Sequence, residues 1–551
     1  MKSMLKSRLH MAVAASLVGL AATTMTNSAQ AVVAPNVSRA NTGQALIYPF
    51  YTVKDGWITT FNLINTSDRA LAIKVRFHEQ KNSRDVLDFN IIMSPYDSWT
   101  GWVQDDPNRG PVLKTVDESC TSPLVVDGVA AREFAYVDEF DDTGGGGKNR
   151  MREGYVEVLL MGEASPTNGN FPAPPPDWDS AAAVADKNVT LYVPYHAEHV
   201  DGAPRDCTLV DKAFRATAPA WEDGDNPAIA TGTLTTGGLE GSGDPAARLD
   251  FVAPSGNWLK GNVGWLNAAT GYGAGSEANA VEWWNDQNYV TAQQFPWFLE
   301  PTFATGPSLW TVTGVVPFEQ AVAAKATFND WADNPQNGAQ MDWVVTFPTK
   351  AYHVDRFNDQ IQAALSKYRN NGNDVITCTP PEDRTSCTAT TDPLPVAPFE
   401  YYFGEQGPDA EDGAGDSKIT VTWDLFDREE DAAVIEVSDE TTISPAPPQP
   451  IIVETLKYEA NVIQFAGGSV LGASFPVDLS EVTSLVAGTS GWAKLNFPQA
   501  CVPASPNCTY ISDAYFGLPV SAVAIRAITR TQDGQAYDSG YEPAVVIPPV
   551  E

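Results

Sequence analysis

Positive charge is scarce in this chain of 551 residues: 34 Lys and Arg side chains stand against 69 Asp and Glu, for a formal net charge of −35. Nucleic acids attract clustered Lys and Arg, and the chain has no basic module, so the composition excludes nucleic-acid binding. Because 43% of the residues are hydrophobic and 15 are Trp, the acidity belongs to the surface of a folded protein rather than to a disordered tail.

Catalytic signatures are also scarce. Only five His occur, and the sequence contains no GxSxG, HExxH or GxxxxGK[ST] pattern and no GxGxxG before a helix. These absences weigh against the common hydrolases and nucleotide enzymes, and we expect a protein that is not an enzyme. A glycosidase stays open, because its chemistry needs only two carboxylates at a suitable separation.

Long hydrophobic runs are missing after the first 31 residues, so we expect no transmembrane anchor in the mature chain. Residues 1–31 have the form of a bacterial secretory signal, with basic residues at the start, an apolar run from Met11 to Ala22 and a small-residue cleavage site at Ala29-Gln30-Ala31. The sequence therefore predicts an exported protein of the extracellular space, the cell surface or the periplasm.

Six cysteines and no CxxC spacing indicate disulfides rather than a metal site. Two pairs are close in sequence and are expected to close local loops, which leaves a third, long-range pair. The predicted pairs are Cys378 with Cys387, Cys501 with Cys508, and Cys120 with Cys207.

Alternating hydrophobicity predicts a mainly β protein. From Leu71 to Phe77 and from Leu87 to Met93, apolar residues alternate with more polar ones, which indicates strands with one buried and one mostly wet face. Short strands separated by turn residues favour an N-terminal antiparallel sandwich of immunoglobulin-like architecture, followed by a further β-rich body with a few short helices.

Composition changes predict five regions along the chain. They are the signal peptide at 1–31, a β-sandwich at 32–112, a central β-rich region at 113–390, an acidic and Pro-rich linker and strand region at 391–450 and a C-terminal β region at 451–551. Helices are predicted at Pro317–Trp331 and Arg356–Arg369, from a Pro suited to a helix start and from apolar residues on one helical face. Val453 to Gln464 is predicted to be a strand.

Two acidic, glycine-rich loops could bind calcium, which takes six to eight oxygen ligands from a flexible loop. Neither loop matches the EF-hand pattern, and a solvated surface loop is the simpler interpretation. The candidate ligands are Asp138, Asp141 and Asp142 in the first loop and Asp409, Glu411, Asp412 and Asp416 in the second.

His196 and His199 form the one dense His cluster. On a helix they would share a face and could hold a transition metal, but the preceding residues look like a strand, in which the two point to opposite sides. An exposed polar turn is the favoured interpretation. Among the tryptophans, Trp258, Trp265, Trp283 and Trp284 are candidates for stacking on sugar rings, although aromatic side chains are more often buried.

Several strings resemble an uncharacterised family of large exported bacterial proteins that are often described as cell-surface or hypothetical proteins. The strings include Leu46–Val53, Lys74–Phe77, Arg152–Val158, Asp342–Lys350 and Phe516–Val520. The resemblance implies a β-rich exported protein of Gram-negative type, associated with the surface, and it assigns no catalytic residue.

Two functions follow from the sequence. The first is a non-enzymatic structural protein of the cell surface or extracellular space that assembles with itself or with envelope components, with calcium as a candidate stabilising ion. The alternative is a secreted protein that binds or hydrolyses polysaccharide through exposed Trp and paired carboxylates.

Overall fold

A computed structural model describes most of the N-terminal half of the chain and several separate ranges after it. The described residues are 35–125, 127–133, 136–137, 142, 144–164, 191–216, 247–248, 251–284, 317–334, 339–354, 376–378, 387–389, 403, 417–429, 452–465, 468–484, 488–498, 517–532, 535–540 and 545–546. All structural statements below concern these residues.

The elements up to residue 282 are mostly strands. In chain order the strands are β1 (Asn36–Val37), β2 (Ala45–Thr52), β3 (Trp57–Asn65), β4 (Leu71–Glu79), β5 (Asp85–Met93), β6 (Ser98–Asp106), β7 (Gly110–Thr115), β8 (Cys120–Ser122), β9 (Val129–Ala130), β10 (Glu153–Ala164), β11 (Leu191–Tyr192), β12 (His199–Val200), β13 (Ala203–Pro204), β14 (Ala247–Arg248), β15 (Phe251–Val252), β16 (Leu259–Asn267), β17 (Tyr272–Glu277) and β18 (Asn279–Glu282). Two helices accompany them, α1 (Val193–Ala197) and α2 (Cys207–Ala216).

The elements after residue 316 are also mostly strands. The strands are β19 (Ala323–Ala324), β20 (Ala326–Asn334), β21 (Ala339–Thr346), β22 (Ile376–Cys378), β23 (Cys387–Ala389), β24 (Ile419–Asp427), β25 (Ile452–Leu456), β26 (Ala460–Gln464), β27 (Val477–Asp478), β28 (Ser490–Asn496), β29 (Leu518–Pro519), β30 (Ser521–Gln532), β31 (Gln535–Gly540) and β32 (Val545–Val546). The helices are α3 (Pro317–Val322), α4 (Ala351–Val354) and α5 (Ser480–Thr483).

Two antiparallel sheets form the first sandwich. Sheet I has the order β1-β18-β2-β10-β4-β5-β8, with β15 beside β10, and sheet II has the order β17-β16-β3-β6-β7-β9. β18 lies between β1 and β2 in sheet I, and β16 pairs with β3 in sheet II, so both sheets combine strands from distant parts of the chain. The boundary predicted at residue 112 falls within β7. The expected mainly β, antiparallel sandwich fold is confirmed.

The core between these sheets is aromatic and aliphatic. Tyr48, Phe61 and Phe77 meet edge to face, with ring centroids 5.3 to 5.5 Å apart. The cavity at this point measures about 10 Å³, which is room for about one water molecule, and apolar side chains line it. This part of the sandwich is a packed core.

Strand β4 departs from the sequence prediction. Its apolar residues face the core as expected, but Lys74, Arg76 and His78 on the opposite side are also buried. The prediction of a wet second face is therefore wrong for this strand. The physical reason is non-local, since β4 lies between β10 and β5 in the middle of sheet I, and helices α1 and α2 pack on part of its outer side.

Sheet III contains most of the remaining strands, in the order β25-β24-β28-β20-β21-β26-β27, with β30 on β21 and β31 on β30. Trp331, Trp343, Trp423 and Phe465 fill its own core. Val344, Val462 and Val523, on the other side of the strands around β21, belong to the core of the first sandwich. Residues 34–551 accordingly form a single compact unit.

Two element predictions in this region are wrong. The helix predicted at Pro317–Trp331 ends at Val322, because the residues from Ala326 onward pair with β28, and this pairing outweighs the helix propensity of the Ala-rich segment. The single strand predicted from Val453 to Gln464 is two strands, since Asn461 bonds to both backbone groups of Tyr458 and holds a turn between them. The helix predicted at 356–369 lies outside the described residues.

Within the described ranges, no helix is long and apolar enough to cross a membrane.

Candidate functional site

Asp142, from the first candidate calcium loop, is bound by the side chain of Arg150. Both oxygens of Asp142 accept hydrogen bonds from Arg150, at 2.7 and 2.5 Å, and Asn82 Nδ2 and the Gly144 amide donate to the same carboxylate. The side chain of Asp142 is fully buried. Its charge is thus matched by a guanidinium of the protein itself.

Arg150 also binds a second carboxylate. Its Nε and Nη2 donate to Glu79 at 2.7 and 2.9 Å, and Nη1 donates to the Gly145 carbonyl. The guanidinium lies 4.4 Å from the ring centroid of Tyr136. Glu79 in turn accepts the amides of Lys81, Asn82 and Arg84, so this ion cluster fixes the turn between β4 and β5.

The pKa values reflect these partners. Burial alone would raise the pKa of Asp142, but the hydrogen bonds and charge of Arg150, with Arg84, hold it below its usual range. Burial would likewise lower the pKa of Arg150, and the carboxylates of Glu79 and Asp142 raise it instead. Both groups therefore stay ionised at neutral pH. Asp138, Asp141 and the second predicted calcium loop (Asp409, Glu411, Asp412, Asp416) lie outside the described residues.

His78 belongs to a neighbouring buried group that the sequence did not reveal. Its Nε2 lies 2.8 Å from Glu157 Oε2, and its ring stacks on Tyr155 at 4.9 Å between centroids. The Tyr155 hydroxyl lies 2.8 Å from Ser83 Oγ and 3.1 Å from the Pro348 carbonyl. Because Pro348 follows a strand of sheet III, this group helps to join the first sandwich to sheet III.

The cluster of His196 and His199 is divided between two environments. His196, in the last turn of α1, is buried, whereas the Nδ1 atom of His199 lies 2.9 Å from Ser94 Oγ and 3.6 Å from Asp97. A serine-activating triad requires the serine and the aspartate on different ring nitrogens, and here both approach Nδ1. No group of three or more His, Cys, Asp or Glu in the described ranges is arranged to hold a metal ion.

The long-range disulfide prediction is confirmed, since Cys120 and Cys207 are bonded across 87 residues of sequence. The bond joins β8 to the start of α2 and holds this helix on sheet I. Cys378 and Cys387 occupy directly opposite positions of β22 and β23, and their bond stays a prediction. Cys501 and Cys508 lie outside the described residues.

The four tryptophans considered for sugar stacking do not form a platform. Trp265 and Trp284 are buried, and Trp258 donates its indole N–H to Glu163 at 2.7 Å. Trp283 is half-buried. Burial, the default interpretation, therefore holds for Trp265 and Trp284.

An exposed aromatic surface lies elsewhere, on the outer side of sheet III. We call it the aromatic face and define it by Phe328, Phe426 and Trp492. Trp492 and Phe328 are each 43% exposed, and Phe426 stacks on Trp492 with 4.4 Å between ring centroids and 12° between ring planes. Phe426 and Trp492 are cross-strand partners of β24 and β28, and Phe328 lies one row along on β20.

Ion pairs border the aromatic face. Arg526 bonds to Asp330 at 2.8 Å on one side of Trp492, and Lys494 lies 3.8 Å from Asp424 in the next row. Asn496 Nδ2 also donates to Asp424. The face thus combines an apolar centre with paired charges of both signs, in a chain that is otherwise strongly acidic.

The sequence contained a signal for this face. In β24 the residues Val421, Trp423 and Leu425 point into the core, so Phe426 stands on the side that should be polar, and Trp492 stands likewise between Gly491 and Ala493. Comparisons with protein-family models, with curated proteins and with solved structures find no match for this chain.

Proposed function

We propose that this protein is an exported, non-enzymatic structural protein of the cell surface that assembles with copies of itself through the aromatic face. The observation that carries the proposal is the exposed Trp492, stacked on the half-buried Phe426 between ion pairs on the outer side of sheet III. An apolar centre within a polar rim is the usual anatomy of a protein–protein interface, and Trp is enriched at its energetic centre.

A second copy of the chain is the partner that the charges favour. Two molecules with a net charge of −35 repel each other over most of their surface. On the aromatic face the charges occur in pairs, Asp330 with Arg526 and Asp424 with Lys494, so repulsion between two copies is reduced there. A two-fold arrangement would set each cation near a carboxylate of the other copy.

Ring orientation favours assembly over sugar binding. A sugar platform presents a ring face to solvent, whereas the rings of Phe426 and Trp492 turn their faces toward each other. One face of each ring is therefore covered by the other ring, which leaves less flat aromatic surface for a sugar. The stacked pair offers apolar area to the side chains of a partner protein.

Sedimentation velocity tests the proposal. The mature wild-type protein should associate with rising concentration, with or without calcium, and Trp492→Thr should weaken this association by at least tenfold. Leu266→Thr is the matched control, because Leu266 is an isolated strand residue that is 50% exposed and lies outside the face.

A wild-type protein that stays monomeric over the whole concentration range, with and without calcium, would overturn the proposal. Retention of that monomer on an insoluble polysaccharide, lost in Trp492→Thr, would instead support the polysaccharide-binding alternative.

A further inference from the structure

Lys74 and Asn90 occupy directly opposite positions on β4 and β5, on the outer side of sheet I. Side chains at opposite positions of an antiparallel pair stand on the same face, with Cβ atoms roughly 4.5 to 5.5 Å apart. Both residues are fully buried, at 0% exposure. An amine and a primary amide are therefore held side by side, away from water.

The neighbours of this pair are apolar on one side. Ala72 and Ile92 form the adjacent cross-strand pair, and both pack in the apolar cluster under α1 and α2. Leu159 of β10, also fully buried, stands beside Lys74 on the other neighbouring strand. The amine thus lies at the border of a water-excluded cluster.

A carboxyl group lies on the remaining side. Asp88 Oδ2 is 4.0 Å from Lys74 Nζ, and Asp88 is two residues before Asn90, on the same face of β5. Arg76, which is directly opposite Asp88, donates Nε and Nη2 to Asp85 instead. Asp88 thus stands in the row next to the Lys74–Asn90 pair, close to the amine.

Burial changes the ionisation of both titratable groups. It lowers the pKa of Lys74, although the charge of Asp88 acts in the opposite direction, and it raises the pKa of Asp88. These shifts favour the neutral amine and the neutral acid, which are the nucleophilic and proton-donating forms.

We propose that Lys74 and Asn90 react with each other to form an amide crosslink between β4 and β5, with Asp88 transferring the protons.

The reaction balances without any further reagent. The lone pair of Lys74 Nζ attacks Cγ of Asn90 and forms a new C–N bond. Asp88 delivers its proton to Nδ2 and then accepts one from Nζ, the Cγ–Nδ2 bond breaks, and ammonia leaves, so that Asp88 ends as the neutral acid again. The product is a secondary amide, and nothing is oxidised or reduced. Fixed proximity can supply effective concentrations of about 10⁵ to 10⁸ M in such intramolecular reactions.

Mass spectrometry tests the crosslink directly. After reduction of disulfides and proteolysis, the wild-type protein should yield the Lys74 and Asn90 peptides joined, with a mass lower than their sum by one ammonia, about 17 Da. Lys74→Arg, Asn90→Ala and Asp88→Asn should yield separate peptides of full mass.

Lys260→Arg is the matched control, since Lys260 also lies on a strand beside a carboxylate, Glu277 at 3.0 Å, but is partly exposed. This variant should keep the joined peptides. Separate wild-type peptides of full mass would overturn the crosslink, and that result does not depend on whether any variant folds. Joined peptides that persist in Asp88→Asn would overturn the role of Asp88.

Discussion

Replacing Arg150 by Met removes the only cation that bonds to both Glu79 and Asp142 among the described residues. Met keeps much of the packing against Tyr136 but leaves two fully buried carboxylates without this partner. Removing one partner of a buried ion pair lowers the free energy of unfolding by about 3–5 kcal/mol. Because two carboxylates lose their partner here, we expect a loss at the upper end of that range or above it. Arg150→Lys keeps the charge but has only three N–H donors for five hydrogen bonds, so its loss should be intermediate.

Urea unfolding followed by tryptophan fluorescence measures this effect. The control is Arg205→Met, because Arg205 forms a 3.0 Å pair with Glu198 that is about one-third exposed on each side, and such pairs contribute about 0–1 kcal/mol. Hydrogen exchange should localise the change, since the amides of Asn82 and Gly144 bond to the two carboxylates. Both amides should exchange faster in Arg150→Met.

The pH dependence gives a second readout of the same variant. In the wild-type protein the lowered pKa of Asp142 contributes stability at neutral pH, and this contribution is lost as the pH falls through that value. Without Arg150, burial raises the pKa of Asp142, and protonation removes the unpaired charge. The stability difference between variant and wild type should therefore shrink in acid. A difference below about 1 kcal/mol at neutral pH would refute the reasoning, because a buried pair of this kind should cost several times more.

Three further results are expected. Burial raises the pKa of Asp342 to about 6. The contribution of the Asp342 carboxyl to the free energy of unfolding of the wild-type protein therefore falls as the pH rises from about 4 to above 6. Asp342→Asn lacks this dependence, and its stability relative to wild type should rise by about 1.4 kcal/mol between pH 5 and pH 8 in urea unfolding; a constant difference would contradict the raised pKa. The double variant Cys120→Ser, Cys207→Ser should lose about 2–5 kcal/mol, and limited proteolysis should cut first around α2. Tyr155→Phe removes a hydroxyl that reaches Ser83 and Pro348, and thermal unfolding should show a loss of about 1–3 kcal/mol.

Alternating hydrophobicity predicted where strands lie, but not which neighbouring strands bury their second face. The periodicity of Leu71–Phe77 and Leu87–Met93 corresponds to β4 and β5. The burial of Lys74, Arg76 and His78 could not be predicted, because β10 pairs with β4 from about 80 residues downstream. Nothing in the local pattern of β4 shows which strands will flank it.

The candidate sites could also be predicted from the sequence only in part. Cysteine spacing correctly indicated the Cys120–Cys207 bond, since pairing the close cysteines locally leaves only this long-range pair. For Asp142 the sequence showed an acidic loop but not the guanidinium eight residues later that meets it. The stacked pair of Phe426 and Trp492 depends on β24 and β28 being neighbours, although these two residues are 66 positions apart in the sequence.

The order of strands in sheet II has a consequence for synthesis. β3 pairs with β16, and the contact between Thr60 and Gly264 spans 204 residues. At a translation rate of about 5–20 residues per second, the partner of β3 is made about 10–40 s later. Until then the edge of β3 that pairs with β16 in the full chain lacks this partner. A truncation before residue 259 should therefore lower the stability of the N-terminal sandwich.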